Sequence, residues 1–234
     1  MQINKISIVI SVYNEKASIH EILSRVCSVS LGLEKEIIVV DDFSMDGTSE
    51  ILHEMQNDRS QPVKIFFHDR NRGKGAALRT GFAKITGDVV IIQDADLEYD
   101  PQDYPKLLKP ILDDKADVVY GSRFLGGPQR VLYFWHYVGN KLITLLSNML
   151  CNINLNDMET CYKVFRASLL QQIHLKSNRF GFEPEFTVKV AKLKCRIYQV
   201  PISYSGRTYE EGKKIKWTDG VATLWHLIRF RFWG

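Results

Sequence analysis

Uninterrupted runs of apolar residues alternate with segments in which apolar residues recur every three or four positions. The first pattern predicts buried β-strands, and the second predicts amphipathic helices. Their alternation over the first half of the chain is typical of a mainly parallel sheet with helices on both faces. The predicted strands are Ile6–Val12, Glu36–Asp41, Val63–His68, Val89–Gln93 and Asp117–Tyr120, and the predicted helices begin near Ser18, Thr48, Gly75 and Asp100.

Two of these helix starts carry capping signals. Ser18 and Glu21 have the spacing of a capping box, and Asp100 is followed by Pro101, which favours the first turn of a helix. The second half of the chain is less regular. There we expect a long helix ending at Cys151, a strand Tyr162–Phe165, a helix Glu183–Leu193 and a strand Arg196–Ile202.

Composition restricts the class of protein. With 234 residues, 45% of them hydrophobic, and without repeats or low-complexity linkers, the chain fits a single α/β domain. The net charge of +4 suits an anionic partner such as a phosphate ester or a lipid headgroup and gives no reason to expect nucleic acid. The four cysteines lack C-x-x-C spacing and the N-terminus lacks a signal peptide's apolar block, so we expect reduced thiols in the cytoplasm.

No stretch reaches the ~18 consecutive apolar residues that a spanning helix needs. Two segments nevertheless stand out: Val131–Cys151 is rich in aromatic residues and leucine, and in Leu224–Trp233 the residues Trp, Phe, Leu and Ile interleave with Arg229 and Arg231. Such segments bind membrane surfaces in some proteins and are ordinary amphipathic helices packed on the core in others. Both interpretations stay open at this stage.

Polar residues follow three of the predicted strands, in the sequences SVYNE, DDFSMDGT and QDADLEYD. Ligands of open parallel sheets bind beyond the carboxyl ends of the strands. A buried carboxylate is costly unless a cation or a hydrogen-bond donor meets it. The three acidic ends therefore predict a shared ligand that carries donors and a metal ion.

The segment from Asp94 to Asp96 places two carboxylates at a spacing that suits one divalent ion, and Glu98 is a candidate third ligand. Oxygen ligands and a phosphate-bearing substrate favour Mg or Mn. The alternative is that one aspartate only caps the next helix. Asp100 holds the better capping position, which leaves the pair available for metal.

The segment HDRNRGKGAALRTGF brings Arg72, Lys74 and Arg79 to a glycine-rich helix start, where backbone amides and the helix dipole favour a phosphate. The segment lacks the P-loop pattern, and Leu78 stands where the dinucleotide-binding pattern needs its third glycine. A solvated basic helix face is the alternative interpretation.

Taken in order, the motifs SVYNE, VVDDFSMDGT, NRGKGAALRTGF, DADLEYDP, GSRF and DMETCYKVFR resemble the family 2 glycosyltransferases of GT-A fold, especially the dolichyl-phosphate mannose synthases and bacterial polyprenyl-phosphate glycosyltransferases. The resemblance implies a GT-A (Rossmann-like) domain. It implies a nucleotide-sugar-binding half, residues 1–122, and an acceptor-binding half, residues 123–234, that ends in the amphipathic segment.

The resemblance also implies roles for individual residues. On the donor side, Tyr13, Glu15, Asp42, Lys74 and Ala95 would line the nucleotide site, with Asp41 assisting Asp42, and Asp94, Asp96 and Glu98 would bind Mg or Mn. On the acceptor side, Arg123, Arg207 and Lys213 would contact phosphates, with Lys214 as a substitute for Lys213. Ser11 departs from the proline common in relatives.

Asp157 stands where sugar-accepting relatives place a general base. A hydroxyl acceptor needs such a base, whereas a phosphate monoester is already anionic and needs charge neutralisation and alignment. The role of Asp157 therefore depends on the acceptor. The Q-x-x-R-W signature of processive polysaccharide synthases is absent, which argues against chain elongation.

The expected function is an inverting transfer of a hexose from GDP-mannose or a UDP-sugar to a polyprenyl or dolichyl phosphate. The protein would act peripherally at the cytoplasmic face of a membrane. One alternative acceptor is a saccharide hydroxyl in cell-surface polysaccharide synthesis. A further alternative is a non-catalytic nucleotide-sugar-binding subunit whose partner is a membrane protein.

Overall fold

A β-sheet of seven strands in the order β3-β2-β1-β4-β6-β5-β7 runs through the molecule. The computed structural model describes residues 3–57, 62–130, 133–208, 210–212 and 217–233. The strands are β1 (Lys5–Val12), β2 (Glu34–Asp41), β3 (Val63–Phe67), β4 (Val89–Asp94), β5 (Val118–Ser122), β6 (Lys163–Arg166) and β7 (Ile197–Pro201). The helices are α1 (Ile19–Ser28), α2 (Thr48–Asn57), α3 (Lys74–Phe82), α4 (Tyr104–Leu112), α5 (Phe134–Cys151), α6 (Phe182–Lys192) and α7 (Trp217–Trp233).

The central strands are buried on both faces. Ile8, Val9 and Ile10 of β1 follow one another and none is exposed to solvent. Because successive side chains of a strand point to opposite faces, both faces of β1 must be covered. The covering is close at Gly81 of α3, where a Cβ atom would overlap the side chain of Val9. The predicted layered arrangement of sheet and helices is confirmed.

Strand β6 runs antiparallel to both of its neighbours, β4 and β5, whereas the other pairs in the sheet are parallel. Its register pairs Arg166 with Val89 at the start of β4, and Lys163 with Tyr120 near the end of β5. The residues that precede Lys163 therefore lie at the carboxyl ends of β4 and β5. This reversal brings the DMET segment to the edge of the sheet where the acidic strand ends were predicted.

The two helix-start predictions have different outcomes. The Asp100 side chain accepts a hydrogen bond from the Gln102 amide at 3.0 Å, so the cap at the start of the fourth helical segment is confirmed. The capping box at Ser18 is wrong. Its hydroxyl bonds to the Glu15 carboxylate at 2.8 Å and makes no bond to an amide of α1, because the nearby acceptor competes for it.

The second half of the chain completes the sheet and adds a helical layer. Helix α6 packs against α7, and α7 also packs against α5. Phe165 of β6 lies 4.9 Å from Phe186 of α6, measured between ring centroids, which joins this layer to the sheet. Within the described ranges, no helix has both the length and the apolar character to cross a membrane.

Candidate active site

Three acidic strand ends lie side by side at the carboxyl edge of the sheet. Strand β1 is flanked by β2 and β4, and Ser11 of β1 is in register with Asp94 of β4. Val12 of β1 is in register with Asp41 of β2. The segments SVYNE, DDFSMDGT and QDADLEYD therefore begin next to one another, as the sequence predicted.

Asp42 shapes the loop that leads into α3. Its carboxylate is buried and accepts hydrogen bonds from the backbone amides of Arg72 at 2.9 Å and Gly73 at 2.6 Å. A third bond, 2.7 Å long, joins it to Nδ1 of His68. Gly73 has φ +93°, a conformation that L side chains rarely adopt. Asp42 thus orients the glycine turn, and its contact with a base or ribose stays a prediction.

The Asp41 carboxylate also forms hydrogen bonds within its own loop. Its buried carboxylate accepts hydrogen bonds from the hydroxyls of Ser44 and Ser49, each at 2.5 Å, and from the Ser44 amide at 3.2 Å. These contacts fix the loop between β2 and α2. The expectation that Asp41 assists Asp42 in binding the nucleotide stays a prediction.

Lys74, the first residue of α3, is an internal cation. Its side chain is only 16% exposed, and Nζ lies 2.9 Å from Oδ1 of Asp94 and 3.1 Å from Oε1 of Glu183. Burial alone would lower the pKa of Lys74, but the charges of Asp94 and Glu183 outweigh it and raise that pKa well above its usual value. The alternative of a solvated basic helix face is therefore wrong for Lys74.

The other two predicted metal ligands contact Arg207. Its guanidinium lies 3.2 Å from Oδ2 of Asp96 and bonds to both carboxylate oxygens of Glu15 at 3.1 Å. The backbone amide of Arg207 donates to Oε1 of Glu98 at 2.8 Å. Burial, with the nearby charges of Asp94 and Glu98, raises the pKa of Asp96 to about 7. The raised pKa shows that burial and the neighbouring carboxylates oppose the charge of Asp96 more strongly than Arg207 compensates it.

Each predicted metal ligand therefore contacts Lys74 or Arg207 of the protein itself. Among the residues that the structure describes, no three potential ligand side chains are already gathered around one point as a metal centre. The available ligand atoms are carboxylate oxygens, which suit Mg²⁺ or Mn²⁺. The residues fit such an ion, and the assignment of Asp94, Asp96 and Glu98 as its ligands stays a prediction.

On the acceptor side, Arg123 and Asp157 bind each other. Nε and Nη2 of Arg123 donate to the two oxygens of Asp157, both at 2.7 Å, and the Arg123 amide donates at 3.1 Å. Asp157 is 0% exposed. Burial would lower the pKa of Arg123, but the charge of Asp157 raises it well above its usual value. The guanidinium also lies 5.2 Å from the ring centre of Tyr204.

Comparison with known proteins identifies the family. The profile of Glycosyl transferase family 2 matches residues 7–174. The chain belongs to this family. It is 29% identical over 235 residues to a dolichol-phosphate mannosyltransferase of Pyrococcus furiosus. That alignment covers 98% of this chain and 64% of the relative. The chain is 30% identical over 210 residues to the undecaprenyl-phosphate 4-deoxy-4-formamido-L-arabinose transferase of Edwardsiella ictaluri, covering 89% of this chain and 62% of the relative. The chain thus spans less than two thirds of either relative.

Solved structures support the GT-A fold. Glucosyl-3-phosphoglycerate synthase of Mycobacterium tuberculosis, in complex with Mn²⁺, UDP and phosphoglyceric acid, matches with a TM-score of 0.75 at 20% identity, covering 98% of this chain and 79% of that chain. The same enzyme with Mg²⁺ and UDP matches with a TM-score of 0.72, also at 20% identity, covering 97% and 79%. The GT-A architecture expected from the resemblance is confirmed.

The remaining predicted site residues of this family 2 glycosyltransferase lie as follows. Tyr13 follows β1 and is half-buried, and Ala95 is buried between Asp94 and Asp96. Lys213 and its substitute Lys214 lie outside the described residues. Tyr13, Ala95 and Lys213 keep the roles that the resemblance implies, as predictions.

Three charged residues that lie close to the candidate site, Lys163, Glu159 and Glu183, were not predicted from the sequence. Lys163 is completely buried and donates to the carbonyls of Met158 and Thr160. Burial, with the charge of Glu183 nearby, raises the pKa of Glu159 to about 8. Glu159 and Lys163 belong to the quoted motif DMETCYKVFR, so a signal for them existed. For Glu183 the sequence carries no such signal, because its position in a predicted helix does not indicate that it faces Lys74.

Proposed function

We propose that the chain transfers a sugar from a nucleotide diphosphate sugar to a polyprenyl phosphate, with inversion at the anomeric carbon. The relatives named for dolichol phosphate and undecaprenyl phosphate support this acceptor class. GDP-mannose and UDP-sugars are both candidate donors. Because the relatives are longer than this chain, activity and substrates alike are part of the proposal.

The donor would lie at the carboxyl edge of β1, β2 and β4. Tyr13, Glu15 and Asp42 would contact the nucleoside, and Asp94, Asp96 and Glu98 would hold Mg²⁺ or Mn²⁺. When bound, the ion would stabilise the charge that develops on the departing nucleotide diphosphate. Lys74 would orient Asp94, and Arg207 would leave the acidic cluster to face the phosphates, where its fixed charge favours the transition state. Lys213 would assist in the same way.

One observation carries the choice of a phosphate acceptor: both carboxylate oxygens of Asp157 accept hydrogen bonds from Arg123. A general base must reach the proton of the attacking hydroxyl. Asp157 is instead buried against a cation, where it fixes the direction of the Arg123 guanidinium. An acceptor that is already anionic needs no base, and the cations Arg123 and Arg207 would align it.

The acceptor assay tests this proposal. The protein is incubated with Mn²⁺ and radiolabelled GDP-mannose or UDP-glucose, together with polyprenyl phosphate in one arm and soluble saccharides in the other. We expect labelled lipid only. Asp157→Asn keeps the shape of the side chain but cannot act as a base. We expect this variant to retain more activity than an enzyme that has lost its catalytic base. Transfer to saccharides alone would overturn the proposal, and nucleotide-sugar binding without transfer would support the accessory-subunit alternative.

A peripheral membrane contact is also part of the proposal. Helices α5 and α7 pack together and expose large apolar side chains, among them Trp135 at 77% and Phe232 at 63%. Each helix also has buried positions, such as Ser147 of α5 and Leu227 of α7, so each packs with one face and exposes another. Arg229 is exposed on α7, where it would attract anionic headgroups. This surface would bring the site to a lipid-borne phosphate.

A further inference from the structure

Glu183, Lys74 and Asp94 form a row of alternating charges that leads into the candidate metal site. Lys74 Nζ lies 3.1 Å from Glu183 Oε1 and 2.9 Å from Asp94 Oδ1. Glu183 lies in the first turn of α6, and Asp94 is the last residue of β4. We propose that Glu183 is a positioning residue: it shares the Lys74 ammonium and thereby leaves Asp94 with the negative charge that a divalent cation requires. This inference rests on the proposed function.

The charges decide the direction of the effect. Lys74 carries one positive charge and contacts two carboxylates, so the row as a whole keeps one negative charge. Without the charge on Glu183, Lys74 would compensate Asp94 alone and the row would be neutral. A neutral row attracts a divalent cation less strongly, because the repulsion between the ammonium and the ion is then no longer offset by the charge of Glu183.

Burial makes these interactions strong. The side chain of Glu183 is 5% exposed and that of Lys74 is 16% exposed, so water and salt screen them weakly. Oε2 of Glu183 is enclosed and accepts no hydrogen bond from the residues that the structure describes. Lys163, the other nearby cation, donates its hydrogen bonds to the Met158 and Thr160 carbonyls instead. Lys74 is therefore the cation that forms the ion pair with Glu183 among the residues that the structure describes.

Backbone contacts hold the start of α3 against the loop that precedes α6. A Cβ atom at Gly73 would overlap the carbonyl oxygen of Asn178, and one at Gly75 would overlap that of Ser177. The Ala76 amide of α3 also donates to the Asn178 carbonyl at 3.0 Å. Contact this close leaves little freedom for the start of α3 to move away from residues 177 and 178.

The same segment is tied to α6 by a second glutamate. Glu185 accepts hydrogen bonds from the amides of Lys176 and Ser177, both at 2.7 Å. The two glutamates of the FEPE sequence thus have different tasks: Glu185 fixes the loop before α6, and Glu183 faces Lys74. Backbone contacts and the hydrogen bonds of Glu185 therefore hold α6 where Glu183 contacts Lys74.

The test is Mn²⁺ binding to the full chain without donor, followed by the electron paramagnetic resonance signal of unbound Mn²⁺. We expect Glu183→Gln, which keeps size and loses charge, to raise the Kd for Mn²⁺ about tenfold. Glu36→Gln is the matched control: Glu36 is also buried and lies 2.8 Å from a lysine, Lys64, but belongs to the opposite end of β2. It should lose stability and leave the Kd within about twofold.

A double-substitution cycle separates positioning from a merely structural role. In a Lys74→Met background, Glu183→Gln should change the Kd for Mn²⁺ by less than about twofold, because the residue through which Glu183 acts is gone. An equal loss in both backgrounds would overturn the proposal. So would an unchanged Kd in Glu183→Gln when the unsubstituted protein binds Mn²⁺. Absence of Mn²⁺ binding by the unsubstituted protein would overturn the metal part of the proposed function and this assignment with it.

Discussion

The guanidinium of Arg207 donates a hydrogen bond to the carboxylate of Asp96 across 3.2 Å, although 111 residues separate them in sequence. The same guanidinium contacts Glu15. A side-chain cation thus compensates the carboxylates that are predicted to bind nucleotide and metal. Arg207 and a divalent ion would compete for the same negative charge.

Removal of Arg207 should therefore strengthen metal binding while it weakens transfer. At a pH where Asp96 is ionised in both proteins, we expect Arg207→Ala to lower the Kd for Mn²⁺ about three- to tenfold, and to reduce the transfer rate at least tenfold. Arg196→Ala is the control, since Arg196 pairs with Asp114 and Asp117. A Kd that rises or stays the same in Arg207→Ala would contradict the competition.

The acidic pair should be necessary for turnover. Asp94→Asn and Asp96→Asn each remove one charge with little change in shape, and we expect kcat to fall by about 100-fold or more in each. Asp100→Asn provides a matched control, because Asp100 lies in the same segment but caps a helix. Circular dichroism should report a native fold in all three. Near-normal transfer by either Asp94→Asn or Asp96→Asn would remove the metal assignment.

The pH dependence of metal binding follows from Asp96. With a pKa of about 7, its carboxylate is increasingly protonated below neutral pH, and the proton competes with the ion. The affinity for Mn²⁺ should fall by up to about tenfold per pH unit below 7 and level off above it. Because Arg207 lowers the pKa of Asp96, Arg207→Ala should move this profile to higher pH. A flat profile from mildly acidic to mildly alkaline pH would refute the role of Asp96.

Glu36 should contribute stability that is lost in acid. Burial would raise its pKa, but hydrogen bonds from Lys64, Ser7 and Thr86 lower it to about 2. A carboxyl whose pKa is lower in the folded state stabilises the fold above its unfolded pKa and loses that contribution as pH falls through the folded pKa. Urea unfolding should show Glu36→Gln less stable by on the order of 2 to 3 kcal/mol at pH 7. That difference should shrink between about pH 5 and pH 2, and a constant difference would contradict it.

The exposed aromatic surface should bind anionic vesicles. We expect the double substitution Trp135→Ser and Trp225→Ser to weaken flotation with phosphatidylglycerol-containing liposomes at least about fivefold, because each ring would otherwise leave water on binding. Tyr198→Ser is the control, since Tyr198 is an exposed aromatic residue on β7 at the edge of the sheet. Equal flotation of the double variant and the unsubstituted protein would exclude this surface as the membrane contact.

The first half of the fold was predictable because its strands are continuous apolar runs with acidic ends. The strand Glu36–Asp41 was predicted two residues short, since Glu34 and Lys35 are polar but still pair with β1. The direction of β6 could not be predicted, because a short strand such as Lys163–Arg166 has the same pattern in either orientation. The capping box at Ser18 failed because the competing acceptor, Glu15, lies in the turn before the helix.

The sequence named candidate site residues one by one, and their roles stay predictions, but it did not predict which of them contact each other. Motifs named Asp94, Asp96, Arg123 and Asp157 as separate contributors. The structure pairs Arg123 with Asp157 and gives Lys74 to Asp94. Such pairings depend on which loops meet in three dimensions, and local pattern carries no information about that. Glu183 shows the limit most clearly, since only the packing of α6 against the start of α3 gives it a role.

The close approach of Gly73 and Gly75 to residues 177 and 178 has a consequence for how the enzyme could open. The start of α3 touches residues 177 and 178 through backbone atoms, which leaves no room for a hinge at this point. Arg207 itself is held by polar contacts to Glu15, Asp96 and Glu98, which ligands can replace. Displacement of the Arg207 side chain from these carboxylates would couple the charge of the site to the presence of the donor.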